Sequence, residues 1–325
     1  MADATQDGER TATGAANAAA RPAGAMRTIW RRPLARAGLV AIAVYAAAAV
    51  YGEAVYRWHR AADRTPPYQR GALEEAYRAP SLAGGHWLGT DGLGRDVARR
   101  LVQGARAAFH VGIVTSLIAI PIGVVLGLLG GYFGGRVDDA VVWLYTTVAS
   151  VPGLLLALSI AMVVGRGLAG VCWGIGLTTW VGLCRLIRGE TMKHRGREYV
   201  LAARVIGAGH GRILFRHILP NVAHLAIVVF TLRFPASVGT EVFMSFLGVG
   251  VQGEPSWGTM IQSARMRLWH GAWWEMTAVT VAIFGLVLAF HVVGDALRDA
   301  LDPRTQAALA GGRPARGAGT AGAAS

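Results

Sequence analysis

Few residues in this sequence have the types and spacing needed for bond-making chemistry. Lys193 is the only lysine, and a phosphate-binding Walker loop needs Gly-x4-Gly-Lys-Ser/Thr around such a residue. The stretch from Glu190 to His194 does not supply that pattern. Gly-x-Ser-x-Gly and His-Glu-x-x-His motifs are absent from the sequence, and the histidines match no metal-ligand spacing. The sequence therefore predicts neither an enzyme nor a metal or cofactor site on this chain.

The segment 197–221 is the most informative part of the sequence. Three glycines between residues 207 and 211 interrupt an otherwise helical pattern. This predicts a short helix over about 198–206, followed by a second helical piece that ends near Pro220.

The first of these two pieces has the features of a docking element. Val200, Ala203 and Gly207 share one helical stripe, so we expect small side chains on a face that a partner protein can approach closely. Arg197 and Arg204 lie on another face. A surface helix that is small on one side and cationic on another favours attachment to a partner.

A second cluster of turn-forming and charged residues precedes the apolar stretch that begins at Val97. Its members are Gly89, Thr90, Asp91, Gly94, Arg95 and Asp96. One interpretation is a capped helix entrance, with Asp96 as the N-terminal cap stabilised by the helix dipole. A second interpretation, compatible with the first, is an outer surface that orients this loop beneath a partner protein.

The elements that must position these motifs are membrane-spanning helices. Apolar residues make up 53% of the 325 residues and charged residues 16%, and mean hydropathy is +0.40, which exceeds the range typical of soluble domains. Crossing about 30 Å of hydrocarbon takes roughly 20 helical residues. Six stretches meet this requirement: 36–56, 107–131, 139–164, 168–187, 219–241 and 276–296.

The distribution of arginine predicts the orientation of these spans. Between the fourth and fifth spans the basic residues greatly outnumber Glu190 and Glu198, and short cytoplasmic loops retain positive charge. We therefore expect this loop and both termini to be cytoplasmic. Arginines beside apolar spans fit a membrane protein in a lipid bilayer better than a nucleic-acid-binding protein.

The same patterns predict the organisation of the chain. We expect disordered cytoplasmic tails at both ends, because their composition cannot bury enough apolar surface to offset the entropy of ordering. Between them we expect a first transmembrane helix, an extracytoplasmic loop and a five-helix core that contains the docking loop. The predicted boundaries are 1–26 for the first tail, 27–56 for the first transmembrane helix and 57–106 for the extracytoplasmic loop. The five-helix core is predicted over 107–298, with the docking loop at 190–220, and the second tail over 299–325.

Two ionisable residues fall in or near the fifth span. Arg233 and Glu241 are about 12 Å apart along a helix, so they do not form an i, i+4 pair. Ionisable groups in a span usually face a partner or a water-filled cavity. Both are therefore candidates for a translocation pathway, although Glu241 also fits a structural role beside the turn 245–250.

Three motifs together resemble a known family. The pattern Ala202-Ala203-x3-Gly207 with Leu219-Pro220 resembles the EAA loop of membrane subunits of ABC importers that use a separate binding protein. The stretch 86–96 and the sequence Ser-Phe-Leu-Gly-Val-Gly at 245–250, followed by Pro-Ser-Trp-Gly at 255–258, are similar to the second permease subunit of the dipeptide, oligopeptide and nickel branch. The resemblance covers about residues 27–304.

This resemblance implies an all-α polytopic membrane protein with six transmembrane helices and the type I, MetI-like fold. It implies coupling to a cytoplasmic ATPase through Glu198, Ala202, Ala203, Arg204, Gly207, Leu219 and Pro220. The implied partners are a second homologous permease subunit, two ATP-binding-cassette subunits that hold ATP and magnesium, and an extracytoplasmic substrate-binding protein, all at the inner membrane. The leading glutamate of the motif is Leu201 here, so its contact is either lost or supplied by Glu198.

The alternative function is a secondary transporter driven by an ion gradient. Such proteins usually carry carboxylates near the membrane midplane and internal repeats, whereas these spans are almost free of acidic residues. The sequence favours the importer subunit and does not select among dipeptides, oligopeptides, glutathione and nickel as the solute.

Overall fold

The computed structural model describes Trp30, residues 32–81 and residues 85–301. Over these residues the chain is mainly helical, and its β-structure is limited to three isolated bridges, all within the segment 71–96. The principal helices are α1 (Pro33–Ala61), α2 (Val97–Phe133), α3 (Gly135–Ser150), α4 (Gly153–Val164), α5 (Leu168–Thr179), α6 (Val181–Arg195), α7 (Glu198–Val205), α8 (Leu219–Phe246), α9 (Trp257–Arg267) and α10 (Trp274–Leu301). The predicted all-α class is confirmed.

Within the described residues, five helical segments are long and apolar enough to cross a membrane. They are α1, α2, the pair α5 and α6 taken as Leu168–Arg195, the segment His210–Phe246 that contains α8, and α10. These correspond to five of the six predicted spans. The bundle has two ends: the arginine-rich end, which carries α7, and the motif end, which carries the residues from Gly89 to Asp96.

The third predicted span is not a straight helix. α3 and α4 meet at an angle of 89°, so the span predicted over 139–164 is bent. At the break Val151 is extended, with φ −91° and ψ 134°, because a following proline disfavours the helical conformation and Pro152 has no N–H to donate. The pair therefore forms a broken or re-entrant span.

The helical piece after the glycines also differs from the prediction. It does not end near Pro220, because Pro220 occupies the first turn of α8, which continues to Phe246. Proline is tolerated there since the N–H groups of a first turn lack helical partners. A π-helical segment, Ile213–Ile218, joins α8 to the preceding turn, so the docking loop is continuous with a membrane span.

α2 and α6 pack with their backbones unusually close. Gly123, Gly127 and Gly131 recur every four residues along α2, and a Cβ at each would lie 2.6–2.9 Å from a backbone carbonyl oxygen in the segment 180–188. Small residues allow such approach in membrane helices. These glycines fix α6, and the loop that follows it, against α2.

The largest core cluster lies between α2, α8, α9 and α10. Trp257 is 1% exposed, and its indole N–H donates to the carbonyl of Leu101 over 3.0 Å. Phe234 stacks on Phe290 with ring centroids 4.2 Å apart. Since α9 contributes Trp257 to this cluster, the segment between α8 and α10 is anchored in the bundle.

Several predicted boundaries shift in the structure. α1 is Pro33–Ala61 rather than 27–56, and α2 starts at Val97, so the loop predicted as 57–106 is reduced to 62–96. α10 reaches Leu301, past the predicted start of the second tail at 299. The rest of that tail and the tail 1–26 lie outside the described residues.

Candidate functional site

α7 has one face buried in the bundle and one face open. Val200 and Ala203 are 0% and 3% exposed and pack into a core cluster of this chain. Leu201 and Val205, one turn apart on the other side, are 47% and 87% exposed. The prediction that the Val200 stripe faces a partner is therefore wrong, because that stripe attaches α7 to its own bundle.

The open side of α7 is the surface available to a partner. We call it the docking face, and it consists of Glu198, Leu201, Ala202, Val205 and Ile206, all of them exposed. Ile206 is 83% exposed. The two adjacent alanines of the sequence motif therefore have different environments. Ala202 lies on the docking face and Ala203 lies in the core.

One aromatic residue of α2, Tyr132, contacts several parts of the segment around α7. Tyr132, at the end of α2, is 3% exposed, and its hydroxyl lies 2.9 Å from Nδ1 of His210. The Arg204 guanidinium stacks over its ring at 5.3 Å, and Arg195 donates to its backbone carbonyl over 3.3 Å. Tyr132 was not among the residues predicted from the sequence, because its position in an apolar run gives no signal of this role.

The remaining residues of the predicted coupling loop lie beyond α7. Gly207 has φ +79° and open space around its Cα, so the left-handed turn, rather than a close contact, requires glycine here. Leu219 is half-buried and Pro220 is exposed at the start of α8. The loop therefore leads from α6, through α7, into α8 by consecutive helical segments.

At the motif end, Asp91 organises the loop before α2. It is 1% exposed, and one carboxylate oxygen accepts from the backbone N–H groups of Leu93 and Arg95, each over 2.9 Å. The Arg95 guanidinium donates to the other oxygen over 2.7 Å. Burial alone would raise the pKa of Asp91, but the two amide donors and the guanidinium groups of Arg95 and Arg100 outweigh it, so the pKa is lowered.

The other residues of the motif at 89–96 also stabilise the loop before α2. Asp96 caps α2, accepting from the backbone N–H of Arg99 over 2.9 Å, which confirms the predicted cap. Thr90 accepts at its carbonyl from the Trp274 indole over 3.0 Å. A Cβ on Gly94, which has φ +71°, would lie 1.9 Å from the carbonyl oxygen of Ala72, so the loop closes only with glycine.

An ion cluster that was not predicted from the sequence joins α1, α2 and the segment before α9. Arg106 is 7% exposed and pairs with Glu53 at 2.6 Å and Glu254 at 2.5 Å. Its guanidinium also lies 3.7 Å from the centroid of the Tyr56 ring. Glu53, Arg106 and Glu254 are far apart in sequence, so only the tertiary structure reveals this cluster.

Glu241 lies beneath the turn that follows α8. It is 1% exposed, and it accepts a hydrogen bond from the Ser245 hydroxyl over 2.7 Å. That hydroxyl accepts from the backbone N–H of Val251 over 3.2 Å. These contacts favour the structural interpretation of Glu241 over a role in a pathway.

Arg233 has a different environment. It is half-buried near the middle of α8, and a Cβ on Gly182 of α6 would lie 3.2 Å from its Nη2 atom.

Among the described residues, no group of three His, Cys, Asp or Glu side chains could hold a metal ion. Cys172 and Cys184 are free and buried.

Comparison with known proteins identifies the family. Residues 119–307 match the inner membrane component of binding-protein-dependent transport systems. The chain belongs to this family. It is 39% identical to the dipeptide transport system permease protein DppC of Bacillus subtilis (strain 168) over 72% of this chain and 73% of that protein.

Two further relatives extend this permease family. The oligopeptide transport system permease protein OppC of Bacillus subtilis (strain 168) is 34% identical over 83% of this chain and 86% of its own. The nickel transport system permease protein NikC of Escherichia coli (strain K12) is 37% identical over 73% and 86%. The predicted resemblance to the peptide and nickel branch is thus confirmed.

Membership of this permease family agrees with the geometry described above. The matched residues 119–307 contain the docking face, Arg233 and the turn beneath which Glu241 is buried. The chain is therefore a multi-pass inner-membrane protein, and the part that the structure describes includes five apolar helices long enough to span a membrane and a bent pair.

Proposed function

We propose that this chain is the permease subunit of an ATP-binding-cassette importer and forms half of a transmembrane pathway. The observation that carries the proposal is the docking face, an exposed apolar surface on a helix whose opposite side is packed against α2 and α6. A partner bound to the docking face that displaces α7 would therefore also displace α2 and α6. No phosphate-binding loop occurs in this sequence, so the ATP and magnesium belong to the partner ATPases.

The proposal includes a membrane orientation. The arginine-rich end and both termini are cytoplasmic, in line with the retention of positive charge in short cytoplasmic loops. The motif end then faces outward, where the loop held together by Asp91 and Asp96 lies beneath an extracytoplasmic substrate-binding protein. A second homologous permease subunit completes the pathway, and two ATPase subunits bind at the cytoplasmic side.

The proposed solutes are dipeptides, oligopeptides or a related small molecule. Two of the relatives above are named for dipeptide and oligopeptide transport and one for nickel transport. The chain itself has no proposed catalytic role, and it binds no cofactor in this scheme.

The test is reconstitution of the chain with its second permease, ATPases and binding protein in vesicles. We expect peptide uptake that requires ATP and the binding protein and survives collapse of ion gradients by ionophores. A complex with hydrolysis-deficient ATPases is the matched control and should not transport. Uptake that follows a proton or sodium gradient without ATP would instead support the secondary transporter.

A further inference from the structure

Among the buried and half-buried arginines that the structure describes, Arg233 is distinguished by its lack of a partner. Each of the other arginines that the structure describes as buried or half-buried contacts a carboxylate or a backbone carbonyl. They are Arg32, Arg95, Arg100, Arg106, Arg188, Arg195 and Arg267. Arg233, in the middle of a span, makes no ion pair or hydrogen bond within the described residues. A charged side chain at such depth is costly and usually faces a binding partner or a watery cavity.

The surroundings of this guanidinium contain open space. It lies against Gly182 of α6, which is exposed. On α8, Ala236 and Gly239 are exposed on the motif-end side of Arg233, and a Cβ on Gly239 would meet no atom within 4 Å. Small residues thus leave room next to an unpaired cation.

We infer that Arg233 binds the carboxylate of the solute during its passage through the membrane. The inference rests on the proposed function. Guanidinium groups hold carboxylates through paired, charge-assisted hydrogen bonds, and a peptide with a free C-terminus supplies such a group. The same unpaired charge disfavours a bare metal cation, so the solute class is anionic or zwitterionic. Arg233 therefore acts as a specificity-determining residue in the pathway.

The experiment compares two peptides that differ only in this group. One has a free C-terminal carboxylate and the other a C-terminal amide, and both are chosen so that the isolated binding protein holds them. Uptake is measured in vesicles at saturating binding protein, so that differences report on the membrane pathway. We expect the wild type to transport the acid about tenfold faster than the amide, which corresponds to about 1.4 kcal/mol.

Variants assign this difference to one side chain. Arg233→Gln should lower uptake of the acid about tenfold and leave uptake of the amide unchanged, whereas Arg233→Lys should retain most of the preference. Arg166→Gln removes an exposed arginine between α4 and α5 and should alter neither rate. Equal effects of Arg233→Gln on both peptides, or no effect on either, would overturn the inference.

Two further outcomes have distinct meanings. Loss of the second permease subunit from the purified Arg233→Gln complex would assign the arginine to a subunit contact and overturn its role in solute binding. Absence of ATP-driven uptake of both peptides by the wild type would refute the proposed function, and the inference with it. Normal uptake of both peptides without a response to Arg233→Gln refutes the inference alone.

Discussion

The docking face can be tested with two valines of the same short helix. Val205 is 87% exposed and Val200 is 0% exposed, so serine at each position makes the same chemical change on opposite faces of α7. We expect Val205→Ser to weaken binding of the ATPase subunits and leave the stability of the isolated subunit unchanged. We expect Val200→Ser to destabilise the subunit.

The magnitudes follow from burial. Burying a valine side chain contributes about 1.5–3 kcal/mol, so loss of about 2 kcal/mol at Val205 weakens the association roughly thirtyfold. Because the side chain is exposed in the free subunit, its stability should change by less than about 0.5 kcal/mol. At Val200 the loss of packing against the cluster containing Tyr132, together with a buried hydroxyl, should cost about 2–3 kcal/mol.

Two measurements separate these effects. Affinity for the ATPase subunits is measured on purified permease complexes, and thermal unfolding is followed with a thiol-reactive dye that reports exposure of Cys172 and Cys184, both buried in the folded chain. ATP-driven uptake is measured in parallel. If Val205→Ser binds and transports like the wild type, while Val200→Ser loses ATPase affinity at an unchanged Tm, the buried stripe is the docking surface and our assignment is wrong.

Three other predictions concern the fold and its orientation. Asp91→Asn should lower Tm by removing a buried charge from its guanidinium partners, with a cost of about 3–5 kcal/mol. Because the pKa of Asp91 is lowered in the folded chain, this contribution is present above the ordinary carboxyl pKa and lost as pH falls below about 4, so the Tm values of wild type and variant should converge there. Gly104→Ala places a methyl group 2.2 Å from the Trp257 ring and should cost about 1–3 kcal/mol, measured by the same dye assay; an unchanged Tm would contradict this packing. In intact cells an impermeant thiol reagent should label Trp87→Cys, at a site 70% exposed in the structure, and should not label Gly209→Cys; the reverse pattern would invert the proposed orientation.

Local patterns in the sequence were enough to predict most elements. Apolar length predicts the helices that span a membrane because the bilayer thickness sets a minimum run of residues. The glycines at 207–211 predict the end of α7, and the acidic side chain of Asp96 predicts the start of α2, because each acts on neighbouring backbone groups. The family motifs are also local, so the identity of the chain was accessible without coordinates.

The tertiary structure decided which side of each element faces a partner. α7 carries apolar side chains on both sides, Val200 with Ala203 and Leu201 with Val205, so its periodicity does not reveal which stripe is buried. That choice depends on the side chains of α2 and α6 that pack against it, and these are distant in sequence.

Contacts between residues distant in sequence also distinguish two arginines whose sequence surroundings are similar. Arg106 and Arg233 each lie within or at the edge of an apolar run. The fold brings Glu53 and Glu254 to Arg106, whereas Arg233 lies against a glycine and receives no carboxylate within the described residues. Because the interaction energy of a charge depends on what surrounds it in space, only the packed helices distinguish a structural arginine from one available to a solute.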